Sequence, residues 1–106
     1  MQLLATLLPH VVTVRRHEGT GPYGEVFGDP VMHQALVEDR RRLVLAAGGE
    51  EVTSETTVYT GPDAAVPVGS QVTVWPDTPH ERTARVITTS RYEHPGSWSH
   101  LEIALT

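Results

Sequence analysis

The sequence predicts an all-β fold: a small, mostly antiparallel barrel of six or seven strands with one long early loop. Three observations point there. The nine glycines and eight prolines cluster around residues 19–30, 48–49, 61–69, 76–79 and 95–96. Between the clusters lie short runs of Val, Thr, Ile and Leu, residues that suit a pleated, half-buried surface. No helical apolar period runs through the middle of the chain.

The elements follow in order. The first strand covers residues 10–18, where Val12 and Val14 alternate with polar neighbours and mark one buried face. A second strand lies at 31–37, after the loop. Residues 40–47 and 50–60 flank Gly48–Gly49, a pair suited to a two-residue hairpin turn because glycine accepts positive φ. That turn opposes Ala47 with Glu50, Leu45 with Val52, Leu43 with Ser54 and Asp39 with Val58. In this register Leu43, Leu45, Val52 and Val58 share the buried face, while Val44 meets Thr53 and Arg42 meets Glu55 on the other. Residues 70–75 bury Val72 and Val74, and 81–92 bury Ala84 and Val86. Residues 98–105 bury Leu101, Ile103 and Leu105 and turn Glu102 outward. No connection is long enough for a crossover helix, so neighbouring strands are expected to be antiparallel. Closure into a barrel would remove exposed edges.

A chain of 106 residues is one domain. Residues 1–9 read as an N-terminal arm and 10–106 as the barrel, with the long loop at 18–30. The chain is 39% hydrophobic and 20% charged, the balance of an ordinary folded protein. With two Trp, three Tyr and one Phe, the core must be mainly aliphatic. Formal net charge is −5, and every basic residue is arginine. Wrapping DNA needs clustered positive charge, so this balance argues against it. Absence of cysteine excludes disulfides, zinc–thiolate sites and a cysteine nucleophile. Residues 1–8 are apolar but lack a positive flank and stop at Pro9, so neither a signal peptide nor a membrane partner is expected.

Candidate chemistry is sparse. The six histidines are His10, His17, His33, His80, His94 and His100. A cupin-like metal site needs several at strand-compatible spacing plus a carboxylate, and no His-x-His pair exists. Surface or turn histidines are the preferred reading. No serine sits in a Gly-x-Ser-x-Gly elbow. Gly19-Thr20-Gly21 leads into Pro22 and Tyr23 rather than a phosphate-cradling helix start. Arg40-Arg41-Arg42 reads as a strand whose arginines meet carboxylates. No cofactor, metal or catalytic residue is expected.

Residues 18–30 carry more information. Structureless loops of this length are uncommon in small domains and tend to be functional or disordered. This one holds the apolar Tyr23, Val26 and Phe27 and the acidic Glu18, Glu25 and Asp29, with no basic residue among them. It suits packing against copies of itself or a partner. Leu3, Leu4, Leu7 and Leu8 make residues 1–8 a candidate assembly arm.

The stretches RRRLV at 40–44, GGEEVTSETTVY at 48–59, VPVGSQVTV at 66–74 and HPGSWSHLEIAL at 94–105 resemble the head–tail connector proteins of long-tailed bacteriophages. More narrowly, they resemble the head-closure or stopper proteins, particularly those of phages of actinobacterial hosts. The resemblance covers residues 10–106 as a pattern of turns and strands. It implies a barrel assembled into a homo-oligomeric ring in the virion neck, built in the host cytoplasm. Such a ring lies between a portal-side adaptor and a tail-side protein, closes the DNA channel after packaging and docks the tail. A long early loop acts as the gate, and the matching positions here are residues 18–30. Genomic DNA would pass the lumen without specific binding, with Glu25 and Asp29 facing it and Tyr23, Val26 and Phe27 knitting neighbouring loops. An adaptor would be largely helical, and a tail terminator would carry a helix on its sheet. A small nucleic-acid-binding barrel would need a basic, aromatic face.

Overall fold

The computed structural model describes residues 8–93 and 99–106. Eight strands form: β1 (His10–Arg15), β2 (His17–Gly21), β3 (Gly24–Phe27), β4 (Val31–Leu45), β5 (Glu51–Thr60), β6 (Gln71–Val74), β7 (Arg82–Tyr92) and β8 (His100–Leu105). Six of them close a barrel in the order β1-β4-β5-β8-β7-β6, and β2 and β3 pair in a separate two-stranded sheet. Every strand pairing is antiparallel.

Alternation fills the barrel as expected. Val12, Val14, Val72, Val74, Ala84, Val86, Leu101, Ile103 and Leu105 are all buried and join Ala35, Val37 and Val58 in one core. This core is built from β-branched and small side chains, so its stability rests on close packing of many modest contacts.

Three expectations need correction. The excursion at 18–30 is not structureless. The first strand ends at Arg15, and after Arg16 the chain turns away to form the β2–β3 hairpin. Its turn is Pro22–Tyr23 between the paired Gly21 and Gly24, and Gly24 takes φ +111°, which a side chain would resist. Residues 31–37 and 40–47 are not separate strands either. They are parts of one fifteen-residue β4, with a bulge between Asp39 and Arg42 that keeps the chain in the ladder.

The third correction concerns register. Leu45 opposes Glu51, Val44 opposes Val52, Leu43 opposes Thr53 and Arg42 opposes Ser54. That is one residue off the predicted pairing. The turn explains it. Gly49 donates to the Ala46 carbonyl and Ala46 donates to the Glu50 carbonyl, both at 2.9 Å, which leaves three residues in the connection. Gly49 alone takes positive φ, at +91°, the pattern of a type I turn closed by a glycine bulge. Leu43 and Leu45 consequently stand in solvent, 66% and 64% exposed, instead of in the core. Arg41, not Arg42, takes Glu55, through bonds of 2.9 Å.

One end of the barrel is tied by polar contacts around the β4 bulge. The Asp39 carboxylate accepts from Trp75 Nε1 and from Thr56 Oγ1, each at 2.9 Å. Arg82 donates to Thr56 Oγ1 and, at 3.0 Å, to the Thr106 carbonyl. His10 Nδ1 accepts the Val37 N–H at 3.0 Å, and its ring meets Trp75 edge-on at 4.9 Å. Trp75 itself has φ +54°, a conformation a bulky residue holds only when its surroundings impose it.

The register can be checked by stability. Ile103→Ala should cost about 2–5 kcal/mol in urea unfolding of the dilute protein, because it opens a cavity in the core. Leu43→Ser should stay within about 0.5 kcal/mol, as exposed positions do. A large loss at Leu43 would restore the two-residue turn.

Candidate functional site

The β2–β3 hairpin is the best-defined feature outside the barrel, and a patch of side chains at its base fixes its position. In β3, Glu25 and Phe27 point to the same face by strand alternation. In β2, His17 opposes Phe27, and the ladder slips between His17 and Gly19, leaving Glu18 as the extra residue of a bulge.

Arg85 of β7 meets this face. Its Nε donates to the Gly69 carbonyl at 2.8 Å, which aims the guanidinium. Two terminal nitrogens then reach both oxygens of Glu25, at 2.7 and 3.2 Å. The same guanidinium lies over Phe27, 5.1 Å from the ring centroid. Arg15 adds a second cation over that ring at 5.9 Å and donates from Nε to the Gly28 carbonyl at 3.0 Å. His17 Nε2 stands 3.3 Å from Glu25, its ring meets Phe27 edge-on at 5.7 Å, and its backbone N–H bonds Ser70 Oγ at 3.0 Å. Hydrogen bonds from Arg85 hold the Glu25 carboxyl below the usual carboxylate range, with the charges of Arg85 and His17 acting in the same sense.

The six residues expected to act as one loop are therefore divided. Glu25 and Phe27 are engaged with the barrel of their own chain. Val26 faces the other way and is exposed, and Tyr23 stands fully in solvent at the tip. Glu18 and Asp29 are exposed. Among the described residues neither has an ion-pair partner. Of the candidate arm, Leu3, Leu4 and Leu7 lie outside the described residues. Leu8 is buried beside Met32 and Gly61 instead of reaching outward.

Sequence reasoning missed Arg85, Arg15 and His17 as parts of this site. The available signal was the Glu25–Phe27 pair, an acid and an aromatic on one strand face, which together suit a guanidinium. The responding arginine lies 60 residues away, and no local pattern points to it.

Arg41 and Glu55 form a bidentate surface pair, and Arg42 reaches Glu102 at 2.9 Å and Thr57 at 3.1 Å. Among the described residues no three His, Asp or Glu side chains gather in a metal-binding group, and His94 lies outside them. Compared with known protein families and with curated proteins, the chain matches no family model and no curated protein.

The arrangement fastens the hairpin to the outside of the barrel. No barrel strand pairs with the hairpin. It is held to the barrel by the half-exposed Arg85–Glu25 pair, by the cations over Phe27 and by the hydrogen bonds of His17 to Ser70 and of Arg15 to Gly28, and of these the ion pair is weak in water and screened by salt. Arg85→Met should therefore raise amide exchange in β2 and β3 several-fold while β5 and β8 keep their protection. The folded Glu25 value is depressed, so the pair's contribution is complete above the unfolded carboxylate value and is lost as pH falls through the folded one. Protection factors in β2–β3 should fall over that acid range, and Glu25→Gln should remove the dependence. Unchanged hairpin protection in both variants would show that Arg85 is not what holds it.

Proposed function

We propose that this chain is a structural subunit of a phage neck, a head-closure protein whose copies form a ring around the DNA channel. The observation that carries this reading is the hairpin. It is an ordered excursion from a closed barrel, fastened at its base, with an aromatic side chain fully exposed at its tip. An exposed Tyr23 beside an exposed Val26 suits contact with other copies, as a plug of hairpins would require.

Electrostatics support the same role. DNA must slide past a channel wall without adhering, and free cations would hold its phosphates. Glu18 and Asp29 supply negative charge along the excursion. In this reading one face of the ring docks the portal-side adaptor and the other the tail-side protein. The protein resides in the virion after assembly in the host cytoplasm, and it carries out no catalysis.

Electron microscopy of particles made without this gene tests the reading. Free tails beside heads emptied of DNA are expected, and normal DNA-filled tailed virions would overturn it. Replacing residues 18–28 by a short turn is the finer test. The barrel should still fold while packaged DNA escapes, and retained DNA would remove the hairpin as the gate.

A further inference from the structure

Two exposed apolar patches lie at opposite ends of β4. At its start, Met32 is 71% exposed and Val31 about half exposed. Met32 borders a groove of about 650 Å³ with Leu8 and Ala64, and Val31 lines the adjoining hollow with Arg16 and Asp63. At its end Leu43 and Leu45 project together from one face, as residues two apart on a strand do. Fourteen residue steps separate Val31 from Leu45, up to about 46 Å along an extended strand. One chain cannot bring its own two patches together.

The backbone around Leu43 and Leu45 is also unfinished. Pairing of β4 with β1 ends at Ala35, and pairing of β5 with β8 begins at Thr56. The ribbon formed by the end of β4 and the start of β5 therefore has open edges on both sides. Open edges beside exposed leucines invite another chain.

We infer that the Leu43–Leu45 ribbon of one copy seats in the Met32 groove of the next, a head-to-tail contact between copies of this chain. Charge complementarity between the two faces supports this pairing. The ribbon carries Glu50 and Glu51 at its tip and Arg40 at its bulge, and none of them has an ion-pair partner among the described residues. The groove face offers the opposite signs, with Arg16 and Asp63 continuous with it and likewise without ion-pair partners. Glu50 or Glu51 can meet Arg16, and Asp63 can meet Arg40. A contact between two different patches leaves both free to repeat, so it builds a ring when its rotation closes and a filament when it does not. This contact deepens the ring reading and rests on it for closure, not for the two faces themselves.

The native chain has no cysteine, so introduced thiols report without background. Full-length chains carrying Met32→Cys and Leu45→Cys singly are mixed and treated with a short bis-maleimide. Tyr23→Cys serves as an exposed control. The 32–45 product should exceed both 45–45 and 23–45 by about tenfold or more, because a real contact raises the local concentration of the paired thiols. Dominant 45–45 product, or no excess over the control, overturns the contact. Crosslinked chains carrying both substitutions are then imaged. Closed rings support the contact and the ring together. Open filaments keep the contact and overturn the ring. Rings from native virions that lack the 32–45 crosslink keep the ring and overturn this contact.

Discussion

Six residues of β1 hold the barrel shut. On one side His10–Val14 pair with β4, and on the other Thr13–Arg15 pair with β6. Without β1, both neighbours become edges and the core formed by Val12 and Val14 opens to water. The shortness of this strand decides what lies outside the barrel. Beyond Ala35, β4 loses its partner on that side, and His10 Nδ1 takes the Val37 N–H that the ladder would have used. Beyond Arg15 the chain leaves the sheet, and Arg16 accepts the Gly28 N–H at 2.9 Å to close the neck of the hairpin. The open ribbon and the hairpin thus begin at the two ends of one strand.

The hairpin could not stand without the barrel. Two strands of five and four residues are marginal alone, and a supporting surface must supply the difference. Arg85 supplies it from β7 by combining a backbone anchor at Gly69, a carboxylate partner and a ring face in one side chain. A planar guanidinium can serve all three at once, whereas an ammonium presents a point charge. The carboxylate contact sits at the surface, where an ion pair contributes little, and the backbone anchor at Gly69 is partly buried.

What the sequence revealed follows from how local each cause is. Alternation is local, and it located Val12, Val14, Val72, Val74, Ala84, Val86, Leu101, Ile103 and Leu105 without error. Turn geometry is local but degenerate. Gly48–Gly49 permits both a two- and a three-residue connection, and the choice between them turns Leu43 and Leu45 from core residues into exposed ones. The bulge at Arg40–Arg41 is set by what Asp39 and Glu55 meet across the sheet, and a run of three arginines gives no hint of it. In the excursion, four glycines and two prolines read as absence of structure. Two of those glycines instead bracket a tight turn. The clamp depends on a contact between β3 and β7, distant in sequence, and pattern reading is blind to that.

Charge explains how an acidic protein can still spend arginines freely. Arg41, Arg42, Arg85 and Arg91 are in ion pairs, and Arg15 and Arg82 are hydrogen-bonded to other groups. Among the described residues Arg16 and Arg40 have no such side-chain partners, and the proposed head-to-tail contact would engage both. Every copy added to the proposed ring would then bring its unpaired acids, and Arg15 and Arg82 as the cations with no carboxylate partner among the described side chains. Affinity for DNA depends on the number of phosphates that free cations neutralise, so it stays low however many copies surround the duplex. In the proposed ring, committing arginines to internal and intersubunit pairs would use their bonding strength while adding few cations to the wall of a channel.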